Sequence, residues 1–252
     1  MVDYELEFRK MHRSILRLSN FALFPKSIEV RGEENFVREG PNIIVGNHIG
    51  SYKDVGLLFK VVPRPIFFMA NKMIFNRDDF SFIVRKHLQR HLKNFGLFLH
   101  LVFNPYYRLI GDYIATNIAR VGSIPVDLDG GRAESIMRCV DYLKRGRAVI
   151  ALQGRGRVDP RDKNPYLKTF RRGAAVITHT LFAEDHISVP VTPLAIFGTQ
   201  VPFPIPGTVK VNVGPPMFIR DYPGRDASET VERFRAALQD KVTDLLMALI
   251  RS

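Results

Sequence analysis

The sequence predicts an α/β fold. The expected form is a single domain over residues 1–252, with a mixed, mostly parallel sheet flanked by helices, an N-terminal amphipathic helical segment (1–26) and an inserted basic and apolar helix (77–107). Three observations carry this prediction. Short apolar runs of strand length alternate with longer segments of helical periodicity. Two of the runs, "NIIVG" and "AVIALQG", lack polar alternation, as strands buried on both faces do. No internal repeat or linker marks a domain boundary.

The elements follow in order. Tyr4 to Leu18 reads as an amphipathic helix, with Leu6, Met11, Ile15 and Leu18 broadly on one side and basic groups between them. "SIEVRG" and "NIIVG" are strands, and a short apolar helix runs from Asp54 to about Val61. A Pro-bounded strand, "PIFFMAN", comes next. Residues Phe80 to Phe103 have a long helical pattern, basic at Arg85, Lys86, Arg90 and Lys93 and apolar after that. "SIPVD" is a strand, "RAESIMRCVDYLKRG" a helix closing at Gly146, and "AVIALQG" a buried strand. "RRGAAVITHTLF" is helical, "ISVPVTPLAIFG" a strand broken by prolines, "VKVNVGPP" a strand, and Ser228 to Ile250 the closing helix.

Composition narrows the function classes. At 46% apolar residues the 252-residue chain can bury a sizeable core. The single cysteine, Cys139, excludes an internal disulfide framework and fits a reducing compartment; in a helical pattern it reads as a small core residue. The N-terminus is charged throughout, unlike a secretory signal. The longest apolar run, "FGLFLHLVF", is about half of the roughly 20 residues that span a bilayer. A net charge of +12 implies an anionic partner: nucleic acid, anionic lipid headgroups or phosphorylated small molecules.

One stretch carries chemistry. In "NHIGSYKD", the spacing of Ser51 and Asp54 is that of a capping box, which accounts for those two residues but not for Asn47 or His48. The same residues also permit a catalytic pair. Asp54 would accept a hydrogen bond from one imidazole nitrogen of His48, leaving the other as a base for an alcohol attacking an acyl carbon. Both readings stand on this stretch alone.

Taken with "GSIPVDLDGGRAES", "AVIALQGRGR", "LKTFRRGAA" and "VPVTPLAIFG", which follow in order, the stretch resembles the glycerophospholipid acyltransferase family, whose best-known members are lysophosphatidic acid acyltransferases. That family carries N-H-x-x-x-x-D, then G-x-x-F/P-I/V-D-R, F-P-E-G-T-R-S, an F-K-x-G segment and V-P-x-x-P. The resemblance runs from about Ile28 to the C-terminal helix. It implies a catalytic His48 and Asp54, with Asp127, Gln153 and Gly154 in the substrate site.

The departures are specific. His48 and Asp54 are separated by one residue more than in the family; Gly50, free to adopt φ > 0, is expected to bulge the loop outward and return His48 to its partner. Leu128 stands where the family has arginine, and Gln153 where it has glutamate. Arg155 and Arg157 arrive nearby, outside the carboxyl end of a strand, where α/β sheets bind ligands, and guanidinium forks suit phosphate oxygens. Lys72 matches a lysine position of the family, as a phosphate contact or a solvated strand-end residue. Lys168, Arg171 and Arg172 precede a predicted helix N-terminus, which favours anions; a plain surface patch is the alternative.

The basic-then-apolar insertion suits an interfacial helix on anionic lipid, against the alternative of an ordinary core helix. The N-terminal helix is a second candidate for that surface. The resemblance therefore implies a cytoplasmic enzyme peripheral to the inner face of a membrane. It would move a fatty acyl group from acyl-CoA or acyl carrier protein to a lysophospholipid, lysophosphatidate foremost. Another lysolipid or glycolipid acceptor, or an impaired lipid-binding relative, are the alternatives. No cofactor beyond the acyl thioester and no metal is implied, and no nucleic-acid motif appears.

Overall fold

Strand β2 (Asn42–Asn47) is buried at all six positions, as its unbroken apolar character requires. The computed structural model describes residues 4–76, 78–79, 81–82, 85, 109, 112–113, 115–118, 120–126, 132–153, 167–202 and 204–252. The chain forms two compact units, one of Met1–Lys10 with Phe67–Ser135 and the other of Met11–Ile66 with Ile136–Ser252.

The larger unit holds a mostly parallel sheet. β2 lies between β5 (Ala148–Gln153) and β6 (Val191–Phe197), parallel to both. β7 (Gly207–Val213) runs antiparallel to β6, and β1 (Lys26–Arg31) adds in parallel to β7 at the edge. The order is therefore β1-β7-β6-β2-β5. Residues such as Ile43, Ile44, Val149, Ile150, Leu194 and Val211 form a core with essentially no solvent exposure.

Helices pack on this sheet because each offers one apolar stripe. The closing helix α5 (Ala227–Ile250) buries Val231, Phe234, Leu238, Val242, Leu246 and Leu249, a spacing of three and four residues. It packs on β6, β7 and α4 (Gly173–Asp185). Each of those six side chains contributes about 1.5–3 kcal/mol on burial. Side-chain caps start the helix: Asp226, at the N-cap, accepts from the Glu229 N–H at 2.8 Å, and Glu229 accepts from the N–H of Arg225, the residue before the cap, at 2.8 Å. α2 (Tyr52–Val61) follows the β2 loop, and α3 (Arg132–Lys144) precedes β5.

In the smaller unit, β3 (Ile66–Asn71) pairs in parallel with β4 (Ile124–Val126), and a short 3-10 turn, Lys72–Phe75, follows β3. The inserted helix predicted at 77–107 lies almost entirely outside the described residues.

Two boundaries differ from the sequence reading by four residues or more. Helix α1 (Tyr4–Leu23) continues five residues past Leu18, because Ser19 and Leu23 are buried and extend its inward stripe. The strand predicted from Ile187 begins only at Val191, since Pro190 lacks the N–H that a ladder needs.

Candidate active site

The parallel register brings the motifs together. Asn47, last in β2, is paired with Gln153, last in β5, and Gly46 with Leu194 of β6. The histidine motif and the glutamine that stands for the family's glutamate thus leave the sheet side by side, at the carboxyl ends of parallel strands. Asn47 has a structural task there. Its Nδ2 donates to the Ile196 carbonyl at 2.8 Å, and its Oδ1 accepts from the Ile196 N–H at 2.7 Å. A side-chain amide, fully buried, continues the β2/β6 ladder beyond the end of the strand.

His48 then meets Asp54. Its Nδ1 lies 2.8 Å from Asp54 Oδ2, and the Gly50 N–H donates to the same oxygen at 2.8 Å. Asp54 is fully buried, and the His48 side chain is 17% exposed. An ionised carboxylate only accepts, so Nδ1 carries the proton and Nε2 presents its lone pair.

The extra residue between His48 and Asp54 is absorbed differently from the sequence expectation. Gly50 does not adopt φ > 0; Ser51 does, at φ 57° and ψ −125°. These are the angles of the first central residue of a type II′ turn, closed here by the Lys53 N–H to the Gly50 carbonyl at 3.2 Å. A serine in this glycine-favoured region stores strain. Its side chain makes no capping hydrogen bond, so the capping-box reading of Ser51 does not hold. What requires glycine at position 50 is space. A Cβ there would lie 2.3 Å from Thr199 Cβ, 2.4 Å from Thr199 Oγ1 and 2.7 Å from Asp54 Oδ1. Asp54 Oδ1 and Thr199 Oγ1 are both buried without a hydrogen-bond partner among the described residues.

The other predicted residues divide into groups. Gln153 is nearly buried, and its Oε1 accepts from the Arg171 N–H at 3.1 Å; next to it Gln239 Oε1 accepts from the Phe170 N–H at 2.8 Å. Two glutamines thereby fix the segment leading into α4. Arg172 turns to the start of α5, donating to the Ser228 carbonyl at 3.2 Å and Ser228 Oγ at 3.0 Å, with Glu232 at 3.9 Å. Lys168 and Arg171 are exposed beside it. Lys72 is exposed at the start of the turn after β3. Asp127, Gly154, Arg155 and Arg157 lie outside the described residues.

The sequence reading did not single out Lys53, which is buried to 6% exposure and donates from Nζ to the Val201 carbonyl at 2.6 Å. Burial, and then proximity to Lys26, lowers its pKa from the ordinary value, with Asp54 opposing. A charged residue in the first turn of an apolar helix was the available signal. Cys139 is buried, and burial pushes its thiol up to about 12, which removes it as a nucleophile. Among the described residues no group of three or more His, Cys, Asp or Glu could hold a metal ion. No described helix is long and apolar enough to cross a membrane.

A buried carboxylate orienting a histidine at the carboxyl ends of a parallel sheet is an arrangement suited to acyl transfer. The sequence pattern of the family described as Acyltransferase matches residues 27–197, and the chain belongs to that family. The chain is similar in fold to the crystal structure of PlsC, the 1-acyl-sn-glycerophosphate (LPA) acyltransferase of Thermotoga maritima. The TM-score is 0.57 at 17% identity, over 99% of this chain and 84% of that one. No curated protein matches by sequence.

Proposed function

We propose that this chain transfers a fatty acyl group from acyl-CoA or acyl carrier protein to the free hydroxyl of a lysophospholipid, with lysophosphatidate as the principal acceptor. The observation that carries the reading is the 2.8 Å contact between His48 Nδ1 and the buried Asp54 carboxylate. It leaves Nε2 as the base. The family membership supports acyl transfer, and the fold likeness to an enzyme described as acting on 1-acyl-sn-glycerophosphate motivates the choice of acceptor.

In the proposed reaction, Nε2 takes the acceptor's hydroxyl proton as its oxygen attacks the thioester carbonyl. The tetrahedral adduct collapses, the C–S bond breaks, and the departing thiolate takes the proton back from the imidazolium. Ester and thiol are the products, and His48 returns to its neutral form. Asp54 holds the tautomer and stabilises the transient imidazolium. A thioester is already activated, so positioning and proton removal supply what direct attack needs, with no acyl-enzyme. The remaining predicted contacts, Lys72, Asp127, Gln153, Gly154, Arg155, Arg157, Lys168, Arg171 and Arg172, are assigned to substrate binding. The enzyme works from the cytoplasmic face of an anionic membrane, to which it is bound peripherally.

The test is acyl transfer by the unvaried chain and by His48→Ala, with acyl-CoA and acyl carrier protein donors against a panel of lysolipids. Transfer to lysophosphatidate that falls about 10³-fold or more in a folded His48→Ala protein is expected, by analogy with catalytic-triad losses. Near-normal turnover by that variant removes the mechanism.

A further inference from the structure

Two lysines meet one loop beside the candidate site. The connection from β6 to β7 contains Pro202, Pro204 and Pro206, so much of what it offers is carbonyl oxygen. Lys53 Nζ donates to the Val201 carbonyl at 2.6 Å, and Lys26 Nζ to the Ile205 carbonyl at 2.6 Å. The first contact is partly buried and the second lies at the surface. Among the described residues neither ammonium forms an ion pair within 4.0 Å. The carboxylate that acts on Lys53 is Asp54, whose Oδ2 is committed to His48 and the Gly50 N–H and whose Oδ1 has no hydrogen-bond partner among the described residues.

This arrangement is costly in the free protein. Two ammonium groups, one of them on a buried residue, have neutral carbonyls of the same connection as partners, and the charge of Lys26 adds to burial in lowering the pKa of Lys53. Each ammonium has three donors and spends one on the loop, leaving two for a ligand. The position is also informative. Lys26 begins β1 opposite Gly207, the first residue of β7, and β7 is antiparallel to β6. The start of β1 therefore lies at the end of the sheet where β6 and β2 terminate and where His48 emerges. Lys53 is the chain neighbour of Asp54, and the Asp54 carboxylate acts on its ammonium group, favouring the charged form.

We propose that Lys53 and Lys26, which donate to the Val201 and Ile205 carbonyls, form a subsite for a phosphate monoester carried by one of the substrates. A dianionic tetrahedral group matches two ammonium point charges with spare N–H donors, and its binding would relieve the repulsion between them. Two sources share this chemistry: the phosphate of a glycerophosphate acceptor and the 3′-phosphate of a CoA donor. The assignment rests on the acyl-transfer reading above and adds residues that reading does not use.

The test has binding and kinetic arms. Calorimetric titration of the unvaried chain, His48→Ala, Lys53→Met and Lys26→Met uses glycerol 3-phosphate and adenosine 3′,5′-bisphosphate as probes. One probe is expected to bind the unvaried and His48→Ala proteins alike, and at least tenfold more weakly after either lysine change. In the kinetic arm, a lysine change that lowers the kcat/KM ratio of lysophosphatidate to monoacylglycerol at least tenfold assigns the acceptor phosphate. The same fall in the ratio of acyl-CoA to its dephospho form assigns the donor. Lys53→Met is expected to melt at or above the temperature of the unvaried chain, because a buried charge is removed. Binding of neither probe by the unvaried chain overturns the subsite, as does undiminished binding by both variants. A lowered melting temperature with unchanged binding assigns the lysines to bracing the loop and also overturns it. Failure of the acyl-transfer reading is separate: no transfer by the unvaried chain, with lysine-dependent phosphate binding intact.

Discussion

Asn47 and Ile196 exchange two hydrogen bonds, at 2.8 and 2.7 Å, through the asparagine side chain and the backbone of β6. The residue before the candidate base is thereby tied to the neighbouring strand. Asn47→Ala leaves a buried N–H and a buried carbonyl of Ile196 without these partners. The expected cost is about 2–4 kcal/mol, read as a lower urea midpoint at unchanged slope. A loss below about 0.5 kcal/mol contradicts the latch, since an ordinary surface change costs about that much.

Gly50 is the tightest point of the loop. Gly50→Ala puts a methyl group 2.3 Å from Thr199 Cβ and 2.7 Å from Asp54 Oδ1, so the loop or the carboxylate must move. Acyl transfer is expected to fall about 100-fold, the scale of a misplacement of about 1 Å. Thr199→Gly in the same protein removes two of the three clashing atoms and should restore part of the lost rate. Full activity in Gly50→Ala alone contradicts the geometry.

Much of the fold is legible in the sequence, because continuous apolar runs and helical periodicity are local signals. β2, β5 and the closing helix α5 are where their patterns put them. The contact between His48 and Asp54 is also where the motif puts it. The role of Asn47 is not legible, since its partner lies 149 positions away. Nor are the roles of Thr199, Lys26 and Lys53, which depend on contacts between residues about 150 to 180 positions apart, Thr199 with Gly50, Lys53 with Val201 and Lys26 with Ile205. Gly50 was the natural residue to bear a positive φ, yet glycine is needed there because Thr199 leaves no room for a Cβ, and the positive φ falls on Ser51.

Gln153 offers a test of whether the family's glutamate position is structural here. Its Oε1 accepts from the Arg171 N–H at 3.1 Å. Gln153→Leu should cost about 1–2 kcal/mol by leaving that donor unpaired, whereas Gln153→Glu keeps an acceptor in place and should keep the unfolding midpoint. Equal stability of the leucine and glutamate variants removes the assignment.

Lys53 sets a pH dependence. Its pKa is lowered in the folded chain by burial and then by Lys26, while in the unfolded chain it returns towards the ordinary value of 10.5. Between the lowered value and 10.5 the unfolded state holds more protons, so this group's contribution to stability rises with pH through that window. Below the window the penalty is fully present. The stability advantage of Lys53→Met over the unvaried chain should therefore shrink as denaturation is repeated from about pH 7 towards about pH 10. A constant difference contradicts it.

Membrane binding is expected to be electrostatic in part. The chain carries +12, and helix α1 exposes Leu18 (54%) and Phe21 (69%). Co-sedimentation should favour anionic over neutral vesicles, with the difference shrinking as the screening length falls from about 8 Å at 0.15 M salt to about 3 Å at 1 M. Leu18→Ser with Phe21→Ser should weaken the part that survives high salt. Equal binding to both vesicle types at low salt contradicts the expectation.

The backbone angles of Ser51 have a consequence for how relatives of this chain are found. One residue in a conformation usually left to glycine takes up an insertion within a single turn, while the imidazole and the carboxylate stay 2.8 Å apart. The geometry of such a site is set by a distance in space, and here it is met with one residue more along the chain than the family's motif has. Any search that demands fixed spacing between the two residues would pass over chains of this kind, whereas a search by geometry would collect them.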